Sequence, residues 1–340
     1  ALVVMALVTL ALLLSSVRGL SRRRALLLSE LQPGNWWRVG LVLGVSFVAF
    51  AYLLGKHSLY EYQGAMYSGG ATWADMAIHL DIARSFVSGA NARLSLTSWP
   101  QSPIYAGETL VYAFMPDFHA AVLLLGGWSE RHSLLLPSCL LGMSLFAALL
   151  LLHGRLFRHR DEHAVALTAV VLFGLSGGLG WYEWLSQHGG SLAALEHFDF
   201  VERVSHDPRT NIVWFATLPH VLLPQRGALF AYPLVLLTMI ALAALFSNNL
   251  HTVSMRRHCN TVAVAALCTA LLPLLQTHAF VASFLFLASF VLYRPLEALS
   301  GKPLLGWITF LIVVLTVSTP QCTLLVRWLI RSFVASLVGH

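Results

Sequence analysis

"TLVYAFMPDFHAAVLLLGG", residues 109–127, decides how this chain meets an apolar medium. The stretch is nearly as long as a bilayer span, which takes roughly 20 apolar residues. Yet Asp117 and His119 stand in its middle, beside Pro116. An ionisable side chain at bilayer depth is costly and therefore rare. One reading makes the stretch an ordinary span with a polar kink at Pro116. The other makes residues 104–127 a non-spanning or re-entrant element packed on the outer side. The surrounding sequence favours the second.

The chain has 340 residues, of which 57% are hydrophobic and 11% charged, with mean hydropathy +0.73. Soluble domains carry about 25% charged residues. The apolar residues fall in long runs, including 1–14, 39–54, 134–152 and 304–317. Such runs read as membrane spans, so the expected fold is all-α, a multi-pass helical bundle of about eight to nine spans. Run 1–14 lacks a preceding basic flank and a following small-residue cleavage site, so it reads as a span and not as a signal peptide. A first residue other than Met and an apolar stretch still under way at the end suggest a piece of a longer protein. The net charge of +6 does not imply nucleic acid. The basic residues cluster beside the spans, as the positive-inside rule expects. Cys139, Cys259, Cys268 and Cys322 lie in or beside apolar runs, without the spacing of a disulfide framework or zinc site.

The basic clusters are Arg18 with Arg22, Arg23 and Arg24, then Arg155, Arg158 and Arg160, then Arg256 and Arg257, then Arg294 with Lys302. With all of them cytosolic, 39–54 leads out and 133–153 returns, so 109–127 would be one span too many. Spans 164–185, 228–247, 261–275, 279–293 and 304–320 then alternate. One membrane domain, 1–340, results, with long outer segments at 56–132 and 186–227. With Glu183 at the edge of the second, these segments hold eleven of the fifteen carboxylates. The chemistry is therefore expected on the outer or lumenal face. No P-loop, H-E-x-x-H or G-x-S-x-G motif occurs. Runs 228–247 and 304–317 carry no charge, which argues against an ion-coupled transporter.

Within "ATWADMAIHLDIARSF", residues 71–86, a helix capped by Thr72 and ended near Gly89 puts Asp75 and His79 on one face. Asp81 and Arg84 are spaced to pair with each other. Asp75 with His79 suits a general base with its orienting partner, or half a metal site; it also suits a solvated amphipathic face. Asp117 and His119 form a second such pair on the same side. In "PHVLLPQRG", 219–227, Gln225 and Arg226 stand at the outer boundary. A guanidinium there suits a phosphate, an interfacial position, or an outer carboxylate. "QTH", 276–278, turns between two apolar runs, and His278 could bond a hydroxyl or a phosphate. Outer aromatic residues such as Trp99 and Tyr112 suit an interfacial belt or sugar stacking.

These residues carry a resemblance. "W-x-D-x-x-x-H-x-x-x-A-x-S-F" (73–86), "P-I-Y-A-G-E-x-L-x-Y-x-F-x-P-D-F" (103–118) and "L-P-Q-R-G" (223–227) look like a poorly characterised branch of the GT-C superfamily. That superfamily comprises membrane glycosyltransferases using polyprenyl- or dolichyl-phosphate sugars. The likeness covers roughly 70–295 and includes a first outer loop with an acidic residue and membrane-parallel helices, here 71–88 and 104–127. The chain departs from better-known members in lacking Asp-x-Asp, paired acids and His-Pro-Asp-Glu in that loop.

The resemblance implies inverting transfer of a sugar from a lipid phosphate to an acceptor hydroxyl on the lumenal face. Asp75 is then the expected base, oriented by His79. Arg226, with His278, holds the phosphate, and Asp117, His119 and Gln225 complete the substrate pocket. No cofactor is implied with certainty, and a divalent metal is left open. Expected partners are the lipid-linked donor, membrane lipids and other membrane subunits. The expected location is the endoplasmic reticulum membrane in a eukaryote, otherwise the plasma membrane. The competing reading is a non-catalytic subunit of a membrane assembly that keeps the fold.

Overall fold

Long apolar runs satisfy their backbone internally by becoming helices, and helices dominate this chain. The structure, a computed structural model, describes residues 36–69, 72–94, 98–156, 162–176, 217–246, 255–293 and 301–338, with scattered positions between 182 and 213. Run 1–14, the cluster Arg18 to Arg24 and most of segment 186–227 lie outside the described residues. The helices, in chain order, are α1 (Trp36–Leu53), α2 (Trp73–Val87), α3 (Met115–Leu125), α4 (Glu130–Leu156), α5 (Glu162–Leu175), α6 (Arg226–Phe246), α7 (Met255–Leu275), α8 (Thr277–Tyr293) and α9 (Gly301–Val338). A hairpin of β1 (Tyr60–Tyr62) and β2 (Ala65–Tyr67) follows α1, with Tyr60 opposite Tyr67. Its turn is Gln63–Gly64, both at positive φ. A second short pair joins β3 (His206–Asp207) and β4 (Ile212–Val213). Short π-helical turns span Leu54–Ser58 and Thr217–Leu222.

Stretch 109–127 becomes a helix only at Met115–Leu125. Its 11 residues reach about 16 Å at 1.5 Å per residue, about half the hydrocarbon thickness. Pro116 sits in the first helical turn, where its missing N–H costs nothing. The residues before it form an ordered loop and not the front half of a span. Asn91 fixes that loop from both sides, its Nδ2 donating to the Gln101 carbonyl and its Oδ1 accepting from the Gln101 N–H. Trp99 Nε1 donates to the Leu110 carbonyl.

Among the described residues, α4 over Glu130–His153 and α9 over Leu304–Thr323 are long and apolar enough to cross a membrane. The apolar stretches of α1, α5, α6, α7 and α8 are shorter. The architecture is thus mostly helical, and an eight- or nine-span bundle is not established by it. Helices α5, α4, α6, α7 and α9 are neighbours in that order, with α1 against α4 and α8 against α7 and α6. Phe50, Phe146, Leu223 and Leu229 bury the α1–α4–α6 seam. Small residues line the α6–α7 seam: Ala265, Ala266 and Ala270 are buried, and Thr238 meets the Ala265 carbonyl. Small side chains let helix backbones approach closely, which is how helices associate where no hydrophobic effect drives them.

Helices α2 and α3 pack on each other and dock on this bundle through α4, α6 and α7. Ile82, Phe86, Phe114 and Ala121 form their shared core, closed by Leu274 of α7. Two local expectations are corrected here. Thr72 stands at the N-cap position of α2 but supplies no side-chain cap bond; its hydroxyl donates back to the Gly69 carbonyl. Arg84 pairs not with Asp81 but with Glu130 at the start of α4, Nη2 to Oε1 at 2.6 Å. An intrahelical pair would add nothing to the docking of α2, whereas this pair joins α2 to α4.

Candidate functional site

The docking of α2 and α3 brings together groups distant in sequence. Asp117 falls in the first turn of α3, where a helix N-terminus favours a carboxylate. His79 lies one turn beyond Asp75 on α2. Its Nδ1 is 2.9 Å from each Asp117 carboxylate oxygen. Arg226 opens α6, the end at which the helix dipole disfavours a cation. Asp117 compensates, accepting from Arg226 Nη1 at 2.7 Å. Arg226 Nε also donates to Ser138 Oγ of α4 at 3.3 Å.

Position 227 must be glycine for Arg226 to reach this point. A Cβ there would stand 2.3 Å from the Leu275 carbonyl oxygen, so only glycine lets the start of α6 lie against the end of α7. The π-helical turn Thr217–Leu222 feeds this start, and such turns recur at functional sites.

His79, Asp117 and Arg226 are almost wholly buried. An ionised carboxylate only accepts, so Nδ1–H of His79 is the donor to Asp117. In the neutral imidazole, Nε2 then carries the lone pair. Among the described residues, Nε2 has no hydrogen-bond partner, and neither has Nη2 of Arg226. A buried polar group left unpaired in a native fold calls for an explanation.

Asp75, expected as the base, makes no hydrogen bond or ion pair among the described residues. It is half-buried, and burial raises its carboxyl above the ordinary range while nearby His79 pulls the other way. Thus His79 is held by Asp117 and not by Asp75, and the expected pairing within α2 is replaced by a pairing between α2 and α3.

Tyr112, at the end of the ordered loop, packs its ring edge-on against His79, centroids 5.9 Å apart. Although 41% of the residue is exposed, its hydroxyl is pushed up to about 12, first by loss of water and then by Asp117 and Asp75. Both carboxylates therefore lie within electrostatic reach of this one phenol. His119 is exposed, yet its ring lies 5.7 Å from that of Phe230, which in turn lies 6.0 Å from the Arg226 guanidinium carbon. Desolvation and then Arg226 hold His119 below the usual histidine range.

Gln225 and His278 stand apart from this cluster. Gln225 accepts from Gln276 Nε2 at 3.4 Å, joining the start of α6 to the α7–α8 turn. His278 is exposed on α8, with no hydrogen bond or ion pair among the described residues. Among those residues, no group of three or more His, Cys, Asp and Glu side chains is placed to hold a metal.

The sequence reading did not single out Ser138, Phe230 or the role of Tyr112. One signal was available for the Asp117–Arg226 pair: a lone arginine entering an apolar run needs an acid partner at similar depth. No family model, curated protein or solved structure matches this chain.

Proposed function

We propose that this chain is a multi-pass integral membrane protein that transfers a sugar from a lipid-phosphate donor, with His79 as the base. The membrane reading is supported by the apolar surface of α9, where Leu304, Ile308, Leu311, Ile312 and Leu315 are exposed along one helix. Patches of that kind mark contact with lipid or another protein. Hydroxyls in the helices bond back to their own backbone, as Ser46 does to Val42, Thr309 to Leu305 and Thr316 to Ile312. A hydroxyl facing lipid has no water to use instead.

The observation that carries the chemical reading is the His79–Asp117 pair with Nε2 unpartnered. A carboxylate that orients an imidazole and stabilises its protonated form is the recurring arrangement for general-base work. Nε2 takes the proton of an acceptor hydroxyl as its oxygen attacks the anomeric carbon. The bond from that carbon to the lipid phosphate breaks, and the phosphate departs as an anion. Arg226 holds Asp117 through Nη1, and its Nη2 is the donor left for the departing phosphate. Nε2 is enclosed in this conformation, so the acceptor reaches it when Tyr112 moves aside. Half-buried Asp75, one helical turn before His79, positions the acceptor. The face is lumenal or extracytoplasmic, in the endoplasmic reticulum or plasma membrane.

A second reading has its own observation. Asp117 and Arg226 neutralise each other inside the core, which also describes a lock that docks α3 on the bundle of a non-catalytic subunit. One experiment separates the two. The purified chain is incubated with a panel of polyprenyl-phosphate hexoses and pentoses, and release of polyprenyl phosphate is followed. The transferase reading expects turnover that His79→Asn lowers by about a hundredfold or more at unchanged melting temperature. The Asn amide still reaches Asp117 but supplies no Nε2. Full activity of His79→Asn removes His79 from the reaction, and no release from any donor leaves the lock.

A further inference from the structure

A second feature lies on the far side of Tyr112. A cavity of about 200 Å³ opens between α9, the α7–α8 turn and the loop that ends in Tyr112. Trp99, Tyr112, Pro273, Phe280, Val281 and Gln321 are among its walls. Proline interrupts two of the helices that bound it, at Pro273 of α7 and at Pro320 of α9, beside Gln321. Each proline removes one backbone hydrogen bond from its own helix and crowds the preceding turn.

No Lys, Arg, His, Asp or Glu lines the cavity among the described residues. Trp99 has already spent its N–H on Leu110, so it offers only its ring. One wall residue is unsatisfied. Gln321 is 8% exposed, and its Oε1 has no hydrogen-bond partner among the described residues. The amide cannot be turned over, because its nitrogen donates to the Val317 carbonyl at 3.2 Å and an oxygen there would face an acceptor. The cavity thus offers largely apolar walls, the side chains of Tyr112 and Thr277, and one buried acceptor that lacks a partner among the described residues.

We propose that this cavity binds a neutral, membrane-soluble alcohol, its hydrocarbon against Phe280 and Val281 and its hydroxyl donating to Gln321 Oε1. An ionised headgroup would enter without a counter-charge, which burial penalises heavily. A plain hydrocarbon would leave Oε1 unpaired. A hydroxyl on a hydrocarbon frame meets both demands. This site does not rest on the transferase reading, since none of its walls carries the proposed chemistry; Tyr112 is shared only as a partition.

The test is photolabelling of the full chain in detergent micelles with a diazirine-bearing hexadecanol, with labelled peptides mapped by mass spectrometry. Label is expected on the peptide around Gln321 and on the loop before Tyr112. Excess hexadecanol competes, while hexadecane and hexadecanoic acid at alkaline pH compete poorly. Gln321→Leu, which keeps the shape, weakens labelling about fivefold, as the loss of one hydrogen bond predicts. Val281→Trp, which fills the space, abolishes it. Equal competition by hexadecane or by the acid overturns the proposal on the native chain alone, whatever the variants do. Full labelling of Gln321→Leu, or label confined to the outer faces of the helices, overturns it as well.

Discussion

At the scale of residues, the pair Asp117–Arg226 matters most, because each partner is buried where an unmatched charge is expensive. Breaking such a pair from one side costs about 3–5 kcal/mol, although replacing both members is often neutral. Asp117→Asn should therefore destabilise the protein in detergent by about that amount, while its amide oxygen still accepts from His79. Adding Arg226→Met should restore most of the loss, since no charge is then stranded. Additive losses in this double-mutant cycle would mean that the two groups are not energetically coupled. His119 gives a prediction in pH. Its folded pKa lies below the usual 6.5, through desolvation and Arg226. The unfolded chain then binds more protons than the folded one in the window below 6.5, so stability is complete above that pH and falls as acid passes through the window. Melting curves between about pH 7.5 and pH 5.5 should show this fall, and His119→Phe should flatten it. Asp75 acts with the opposite sign. Its raised carboxyl makes the folded state hold its proton longer, so its contribution to stability declines as pH rises from the ordinary 3.8.

At the scale of elements, the junction of α6 and α7 should tolerate less than the junction of α2 and α4. Gly227→Ala places a methyl 2.3 Å from a backbone carbonyl, which cannot rotate away. Helix α6 must shift, and Arg226 with it, for a loss of at least about 1–3 kcal/mol. By contrast, Arg84 and Glu130 are 57% and 30% exposed, and Glu130→Gln should cost less than about 1 kcal/mol. Unfolding free energies in one detergent compare the two directly, and a larger loss for Glu130→Gln would reverse this ranking. The difference between these junctions also shows what was legible in the sequence. Apolar runs and their punctuation gave the helices: α2 ends at Val87, within a residue or two of the end set by Gly89, and α3 is short, covering only Met115–Leu125 of the stretch that Asp117 and Pro116 interrupt. Partner choice was not legible. Spacing within a helix offered Asp81 to Arg84 and Asp75 to His79, whereas docking of α2 on α3 and α4 supplied Glu130 and Asp117. Local spacing knows only neighbours three or four residues away. The bond from Asp117 to Arg226 spans 109 positions and depends on a glycine contact that no charge pattern announces.

At the scale of the molecule, the orientation inferred from the basic clusters makes α2, α3 and their ordered loop a cap on one side of the bundle, and it puts the start of α7 on the other. The chain contains its own reporter for the far side. Cys259 is exposed near the start of α7, beside Arg256 and Arg257 in sequence, while Cys139 is buried. Ala106 is exposed in the loop before α3 and offers a site for a reporter on the near side. With Cys139, Cys268 and Cys322 replaced by alanine, intact cells are treated with a membrane-impermeant maleimide. Ala106→Cys, made in a background that also lacks Cys259, should label at once. Cys259, in the chain without the new cysteine, should label only after permeabilisation. The opposite order would place the cap in the cytosol, away from any lumenal donor. Labelling of both sites in intact cells would remove the bilayer from between them, and the apolar face of α9 would then have to be covered by protein and not by lipid.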